Sequence, residues 1–149
     1  MQVTSDFNIN EFKVSDKFPE LAKEIDFSIK DINIIRLHCQ AILQPLRNIF
    51  GKISILSAKR SIKLNKAVKG YWDSDHLHSC ASDIVPDESN IYTVFDFLID
   101  PDNFMQFRQA ILYIDKGFIH VSSNIPGRDY KREVLISEKG EYRHHESML

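Results

Sequence analysis

The sequence has few of the features that would place a protein outside the ordinary globular class. Two cysteines among 149 residues are too few for a disulfide framework and indicate a reducing compartment or indifference to redox state. No apolar run approaches the roughly 18 residues of a membrane span, so we expect no membrane-spanning helix. Nineteen basic residues against 21 acidic ones give a net charge of −2, which argues against a nucleic-acid partner.

The N-terminal segment also lacks the marks of a signal peptide. Residues 1–6 have neither a basic n-region nor an apolar h-region. We therefore expect no signal peptide, and a protein that stays in the cytoplasm where it is made until something else releases it. No internal repeat or low-complexity stretch is visible.

The residues that are present favour one domain with a hydrophobic core. The length is that of a single domain, and 43% of the residues are apolar. Ten Phe, five Tyr and one Trp can fill a core without the help of a disulfide or metal. Six histidines stand out in so small a chain, but composition alone does not say whether they cluster.

Hydrophobic spacing predicts helices early in the chain and strands, mixed with one helix, later. Apolar residues recur at helical spacing over 31–50, with Asp31 as the expected N-cap, Pro45 as a kink or second start, and Gly51 as the end. Later elements are expected as a helix at 90–99 and strands at 53–56, 81–85, 110–114, 118–121 and 133–136. This order indicates one α+β domain over 1–149.

The intervening stretches are expected to be irregular. The basic segment from Ser57 to Gly70 and residues 71–80 are predicted as loops, and Asp115-Lys116-Gly117 as the turn of a hairpin. A polar tail over 138–149, which contains His144 and His145, is predicted to be mobile.

Two histidines and an aspartate have residue types suited to a catalytic zinc. His76 and Asp83 lie seven positions apart, and His120 follows in a predicted strand. Two imidazole nitrogens and one carboxylate oxygen leave a fourth zinc position open. Spacing alone leaves the question open, because a chain with six histidines and many aspartates offers several such triples.

Four sequence segments that follow one another in a fixed order make the zinc-site hypothesis more specific than the three residues alone. They are Leu43-Gln44-Pro45-Leu46-Arg47, the segment 57–70, the set Ser74, His76, Ala81, Asp83 and Ile84, and Phe118-Ile119-His120-Val121-Ser122. Over about residues 31–137 their order and gaps resemble the zinc D-Ala-D-Ala peptidase family. That family includes VanX-type dipeptidases, bacterial carboxypeptidases, phage endolysins and the hedgehog domain, and the chain is most similar to its short phage and bacterial branch.

The resemblance implies a fold and a set of site residues. The fold would be helices packed on a central, mostly antiparallel sheet. His76, Asp83 and His120 would be the zinc ligands. Arg60 would meet the substrate, with Ser74 on the substrate side, because a guanidinium can hold a carboxylate or polarise a carbonyl with paired hydrogen bonds.

The general base is less well defined by the resemblance. In this family a carboxylate lies a few residues before the last histidine, and an offset of three falls here on Gly117, which cannot serve. Asp115 is the acid nearby and is the candidate, although an aspartate is equally well explained as a turn residue.

Several residues depart from the family pattern. Ser79 stands where glycine is usual, Ala58-Lys59 where Gly-Tyr is usual, and Phe118 where Trp is usual. Cys80 is expected as a pocket wall rather than a ligand, and His78 as a residue pointing away from the metal.

The function implied by the resemblance is a zinc-dependent peptidase, of carboxypeptidase or endopeptidase type, acting on peptidoglycan peptides. A phage lysin or a virion-associated wall hydrolase, with other virion proteins as partners, fits a short chain without a signal peptide. Two alternatives stay open: a non-catalytic zinc-binding structural or binding protein derived from this family, such as a virion component, and a cytoplasmic bacterial D,D-dipeptidase.

Overall fold

A six-stranded mixed sheet positions the elements of this α+β protein. The structure is a computed structural model that describes residues 1–145. The strands are β3 (Ile53–Ser57), β4 (Ala81–Pro86), β5 (Gln109–Tyr113), β6 (Phe118–Ser122), β7 (Glu133–Glu138) and β8 (Glu141–His144). Their order in the sheet is β3-β4-β6-β5-β7-β8, and every neighbouring pair is antiparallel except β5 and β7. The expected α+β class with a mostly antiparallel sheet is confirmed.

Helices and a small two-stranded sheet surround this platform. The small sheet pairs β1 (Gln2–Thr4) with β2 (Phe7–Asn8). The helices are α1 (Pro19–Lys23), α2 (Ile29–His38), α3 (Gln44–Phe50), α4 (Ile62–Ala67) and α5 (Ile91–Ile99). No helix within residues 1–145 is long and apolar enough to cross a membrane.

The predicted helix over 31–50 is present and continues through an irregular turn. Ser28, not Asp31, is the N-cap of α2; Asp31 instead closes a capping box by accepting from the Ser28 backbone N–H at 3.0 Å. A π-helical turn at Cys39–Leu43 precedes Pro45, which lies in the first turn of α3. Gly51 ends α3 with φ of +83°, as expected.

Two of the expected irregular regions are in fact ordered. The predicted basic loop over 57–70 contains α4, which Ser61 caps by accepting from the Leu64 backbone N–H. The predicted tail contributes β8, which pairs with β7 through Glu138 and Glu141. Residues 146–149 of that tail lie outside the described residues.

The two faces of the sheet have different roles. One face packs on α5 and the α2–α3 region and holds the hydrophobic core, with Ile84 and Ile119 fully buried. The other face carries Asp83, His120, Ile111 and their neighbours, because side chains alternate between the faces along each strand. The chemistry therefore lies on the face opposite the core.

His38 is a buried polar link between α2 and the core face of the sheet. Its side chain is 1% exposed; Nδ1 lies 2.6 Å from the Ser123 hydroxyl and Nε2 lies 2.8 Å from the Ser82 hydroxyl. Burial, with smaller effects of His120 and His76, lowers the pKa of His38 to about 3. The ring is therefore neutral in the folded protein and satisfies both hydroxyls.

Because His38 is buried in its neutral form, we expect the folded protein to lose stability in mild acid. The unfolded chain binds a proton at this ring below the ordinary histidine pKa of 6.5, whereas the folded chain does not until about pH 3. Stability is therefore complete above about pH 6.5 and falls toward pH 3. Between pH 7.5 and 5 we expect the free energy of unfolding of chelator-treated wild type to fall about 2 kcal/mol more than that of His38→Gln, measured by urea titration.

The exposed His144 on β8 provides a matched control. His144→Gln should retain the wild-type dependence on pH. Parallel curves for wild type and His38→Gln would contradict this account of the buried ring.

Candidate metal centre

Asp83 and His120 come together because their strands are neighbours. They are direct partners in the β4–β6 register, so their side chains emerge on the same face of the sheet. His120 Nδ1 lies 2.9 Å from Asp83 Oδ1. Both residues are buried, at 8% exposure each.

His76 reaches the pair from outside the sheet. It lies in a single 3-10 turn, Asp75–His78, whose start is capped by the Ser74 hydroxyl accepting from the His76 backbone N–H at 3.2 Å. The ring Nδ1 lies 2.6 Å from the Ala58 carbonyl oxygen, and a carbonyl can only accept. This contact places the proton on Nδ1 and leaves the Nε2 lone pair facing Asp83 Oδ1 at 3.3 Å.

The three side chains fit the donor set of a zinc ion. One donor atom from each of His76, Asp83 and His120 can be chosen so that all lie within 4.8 Å of one another. Two ligand atoms held tetrahedrally by one zinc at about 2.1 Å lie roughly 3.4 Å apart, close to the His76–Asp83 separation. Within residues 1–145 this is the single group of three or more histidine, cysteine and acidic side chains whose donor atoms come this close together.

Burial and charge keep the cluster ready for a cation. Burial lowers the pKa of His76, although Asp83 opposes that effect. Burial by itself would raise the pKa of Asp83, but the two imidazoles outweigh it and hold the pKa well below the usual range. A neutral imidazole and an ionised carboxylate are the forms that bind metals.

Arg60 lies beside this cluster and is tied to the His76 turn. Its backbone N–H donates to the His76 carbonyl at 3.0 Å, and its Nη2 lies 3.9 Å from Asp83 Oδ2. Nη1 donates to the Asn65 side-chain oxygen at 3.2 Å. Gly70 is needed here, because a Cβ at that position would overlap the Asn65 oxygen and crowd Arg60 Nη1. The predicted substrate arginine is thus held within reach of the candidate ligands.

The cluster opens into a cleft of about 550 Å³. Arg60 and Ser74, the predicted substrate-side residues, both line it, as do all three candidate ligands. Ser74 also has the structural role of capping the His76 turn, which the sequence-based assignment did not include.

Asp115 lies apart from this arrangement. It is exposed in the turn between β5 and β6 and does not line the cleft. Its role as a base stays a prediction from the resemblance.

The acids that do line the cleft are already paired. Asp75 accepts from Arg108 Nη1 at 2.8 Å through both oxygens and from Arg128 Nη2 at 2.9 Å. Asp73 accepts from Arg128 at 3.1 Å, and Asp129 accepts from Arg108 at 2.9 Å. Together with Asp83, these are all the acids among the described residues that line the cleft.

Sequence reasoning missed Arg108 and Arg128. Arg108 directly precedes β5, and Arg128 lies in the loop between β6 and β7, so each contacts Asp75 across a long stretch of sequence. Burial alone would raise the pKa of Asp75, but Ser122 and the two guanidinium groups lower it. No local sequence motif indicates an ion pair between residues so far apart in the sequence.

His78 and Cys80 are not part of the candidate ligand set. His78 is half-buried and lies 2.8 Å from Asp73 Oδ1 and 2.7 Å from Arg128 Nη1, rather than free on the surface. Cys80 is fully buried, and burial raises the pKa of its thiol to about 12, so the thiolate that zinc prefers is not formed near neutral pH.

A His-Asp-His cluster beside an arginine in an open cleft is the kind of arrangement used by metal-dependent hydrolases. The family model described as Peptidase M15 matches residues 7–122, which include every candidate ligand and Arg60. The chain therefore belongs to the Peptidase M15 family, a family of peptidases. No curated protein matches the sequence at a significant level.

The cluster predicts that zinc binding depends on Asp83. Asp83→Asn keeps the size of the side chain but removes its charge. We expect zinc affinity to fall by more than about 100-fold, since even outer-shell changes cost 10- to 100-fold. Competition with a chromogenic chelator measures the affinity, and thermal melting of the metal-free variant checks the fold.

Asp73→Asn is the matched control, because Asp73 is an acid of the same cleft outside the ligand set. It should bind zinc like the wild type. Wild-type zinc affinity in Asp83→Asn would rule out this cluster as the metal centre.

Proposed function

We propose that this protein is a zinc-dependent peptidase that cleaves peptides of the bacterial cell wall. The observation that carries the proposal is the convergence of His76, Asp83 and His120 beside Arg60, in a cleft of a Peptidase M15 member. The finer assignment, to D-Ala-D-Ala carboxypeptidase or endopeptidase chemistry on peptidoglycan, rests on the resemblance of the four sequence blocks.

The ligand set would hold zinc through His76, Asp83 and His120. Zinc bound in such a set acts as a Lewis acid and lowers the pKa of a coordinated water to about 7. The Ala58 carbonyl fixes the orientation of the His76 ring, and Asp83 accepts a hydrogen bond from His120 or shares a cation with it. These contacts prevent the ligands from rotating away from one another.

Arg60 would bind the substrate on the other side of the cluster. Its guanidinium remains charged and is only 14% exposed as a side chain, so a bound carboxylate or carbonyl would be screened little by water. Asn65 occupies one of its donors and leaves the others available toward the cleft.

We assign the proton acceptor to Asp115 on the resemblance alone. A carboxylate must take the proton of the attacking water and pass it to the leaving amine. The cleft acids other than Asp83 are held by Arg108 and Arg128. Asp115, in the turn before β6, is the acid near His120 in the chain to which the resemblance points.

The proposed biological role is that of a phage lysin or a virion-associated hydrolase. Its substrate would be peptidoglycan peptides, and in the particle its partners would be virion proteins.

A second candidate is a non-catalytic zinc-binding protein derived from this family. The observation that favours it is that Asp115 lies outside the cleft, while the cleft acids other than Asp83 are paired with arginines.

Digestion of isolated peptidoglycan tests the enzyme directly. Zinc-loaded wild type should release new muropeptides, identified by mass, and a chelator should abolish the release. His120→Ala should reduce the rate by at least about 1,000-fold, because it removes a ligand of the reacting centre. Zinc binding without any change in muropeptides, with wild type and His120→Ala alike, would favour the non-catalytic candidate.

The assignment of Asp115 has its own test. Asp115→Asn should bind zinc normally but lower kcat on the cleaved muropeptide by about 100-fold, within the range for general bases. A melting temperature equal to that of the wild type is the control for a disturbed hairpin. Unchanged turnover in Asp115→Asn would show that another group accepts the proton.

A further inference from the structure

Tyr113 lies next to the candidate metal ligands on the same face of the sheet. It is the last residue of β5 and pairs with Phe118, which lies two positions before His120 on β6. Such a diagonal neighbour in an antiparallel pair is about 7–8 Å away, within reach of an aromatic side chain. Tyr113 accordingly lines the same cleft as Asp83 and His120.

Three contacts fix the orientation of the Tyr113 ring. It stacks on Phe118 at 4.6 Å between ring centroids, and the Tyr142 ring meets its edge at 5.9 Å and 87°. The ammonium of Lys116 lies 5.4 Å from the ring centroid. A phenol held in this way loses little rotational freedom when it contacts a ligand.

Among residues 1–145, the hydroxyl of Tyr113 has one protein partner, the hydroxyl of Tyr142, at 3.0 Å. Tyr142 is brought there by β8, since Tyr113 and Tyr142 both pair with Ser137 of β7. A hydroxyl has one hydrogen to donate and two lone pairs. When Tyr142 donates, the hydrogen of Tyr113 is free for a ligand in the cleft, and the first bond strengthens the second.

Tyr113 serves as a donor rather than a base. Burial raises its pKa, and Tyr142 and the charge of Asp83 raise it further, so the phenol keeps its proton through the neutral range. Arg60 and Asp83 line the same cleft as Tyr113. Arg60 and Tyr113 therefore present two donors toward the region in front of the ligand set.

We propose that Tyr113 is a catalytic residue whose hydroxyl donates a hydrogen bond to the carbonyl oxygen of the scissile peptide bond, with Tyr142 as its positioning residue. The inference rests on the proposed peptidase function and adds to it. As negative charge grows on that oxygen in the transition state, the neutral phenol stabilises it without giving up its proton. No bond to tyrosine forms or breaks.

Tyr113→Phe tests the role of the hydroxyl. The variant keeps the stack on Phe118 and loses only the donor. We expect kcat on the cleaved muropeptide to fall by about 10- to 100-fold while KM changes less than threefold, because the bond is stronger in the transition state than in the ground state. Zinc affinity and melting temperature should equal those of the wild type.

Tyr142→Phe separates positioning from direct contact. It should lower kcat by about three- to tenfold, and the double variant should be no slower than Tyr113→Phe alone, because both changes act through one hydroxyl. Tyr92→Phe on α5 removes a phenol hydroxyl away from this cleft and should leave kcat unchanged.

Binding of a phosphinate analogue of D-Ala-D-Ala to the zinc-loaded protein gives a readout besides turnover. Calorimetry should show at least about tenfold weaker binding to Tyr113→Phe than to wild type. Turnover of Tyr113→Phe within twofold of the wild type, or a loss of zinc affinity that matches the loss of kcat, would overturn the inference and leave the peptidase intact. Wild type that neither cleaves muropeptides nor binds the phosphinate would overturn the proposed function and this inference together.

Discussion

Asp83 lies directly opposite His120 because β4 and β6 are antiparallel neighbours in a single register. A slip of one residue would move either side chain to the core face and separate the pair. The register is specified from the other face, where Ile84 and Ile119 are fully buried. The hydrophobic core on one face of the sheet therefore helps to determine where the polar site forms on the other.

Hydrogen bonds that involve the backbone position the remaining parts of the site. The segment after β3 donates from the Arg60 N–H to the His76 carbonyl and accepts at the Ala58 carbonyl from the His76 ring. One short stretch thus positions both the third candidate ligand and the arginine that we propose binds the substrate. The buried ion pair between Asp75 and Arg108 also holds the turn that carries His76. Since such pairs are costly to desolvate, its main contribution is to position the turn rather than to stabilise the fold.

The sequence was informative where the structure depends on local patterns. Alternating and helical spacing located β4, the β5–β6 hairpin and α5 within a residue or two, and the block order identified the three candidate ligands and Arg60. It failed for α4, whose six residues are too short to show helical periodicity. It failed for β8, whose residues are exposed and polar and owe their conformation to pairing with β7. Arg108 and Arg128 were missed because long-range ion pairs leave no local signal.

The departures from the family pattern at Lys59 and Ser79 are linked in space. Ser79, in place of the usual glycine, has φ of +66°, a conformation that costs a side chain about 1–2 kcal/mol. Its hydroxyl donates to Asp31 Oδ1 at 2.7 Å, and the Lys59 ammonium lies 3.5 Å from the same oxygen.

Lys59 also donates to the Leu77 carbonyl at 2.7 Å, inside the turn that carries His76. Both unusual residues thus fasten this turn to α2 through Asp31, and the hydrogen bond offsets part of the backbone strain. Lys59 and Ser79, which stand where tyrosine and glycine are usual in the family pattern, are therefore a different way of holding the turn that carries His76.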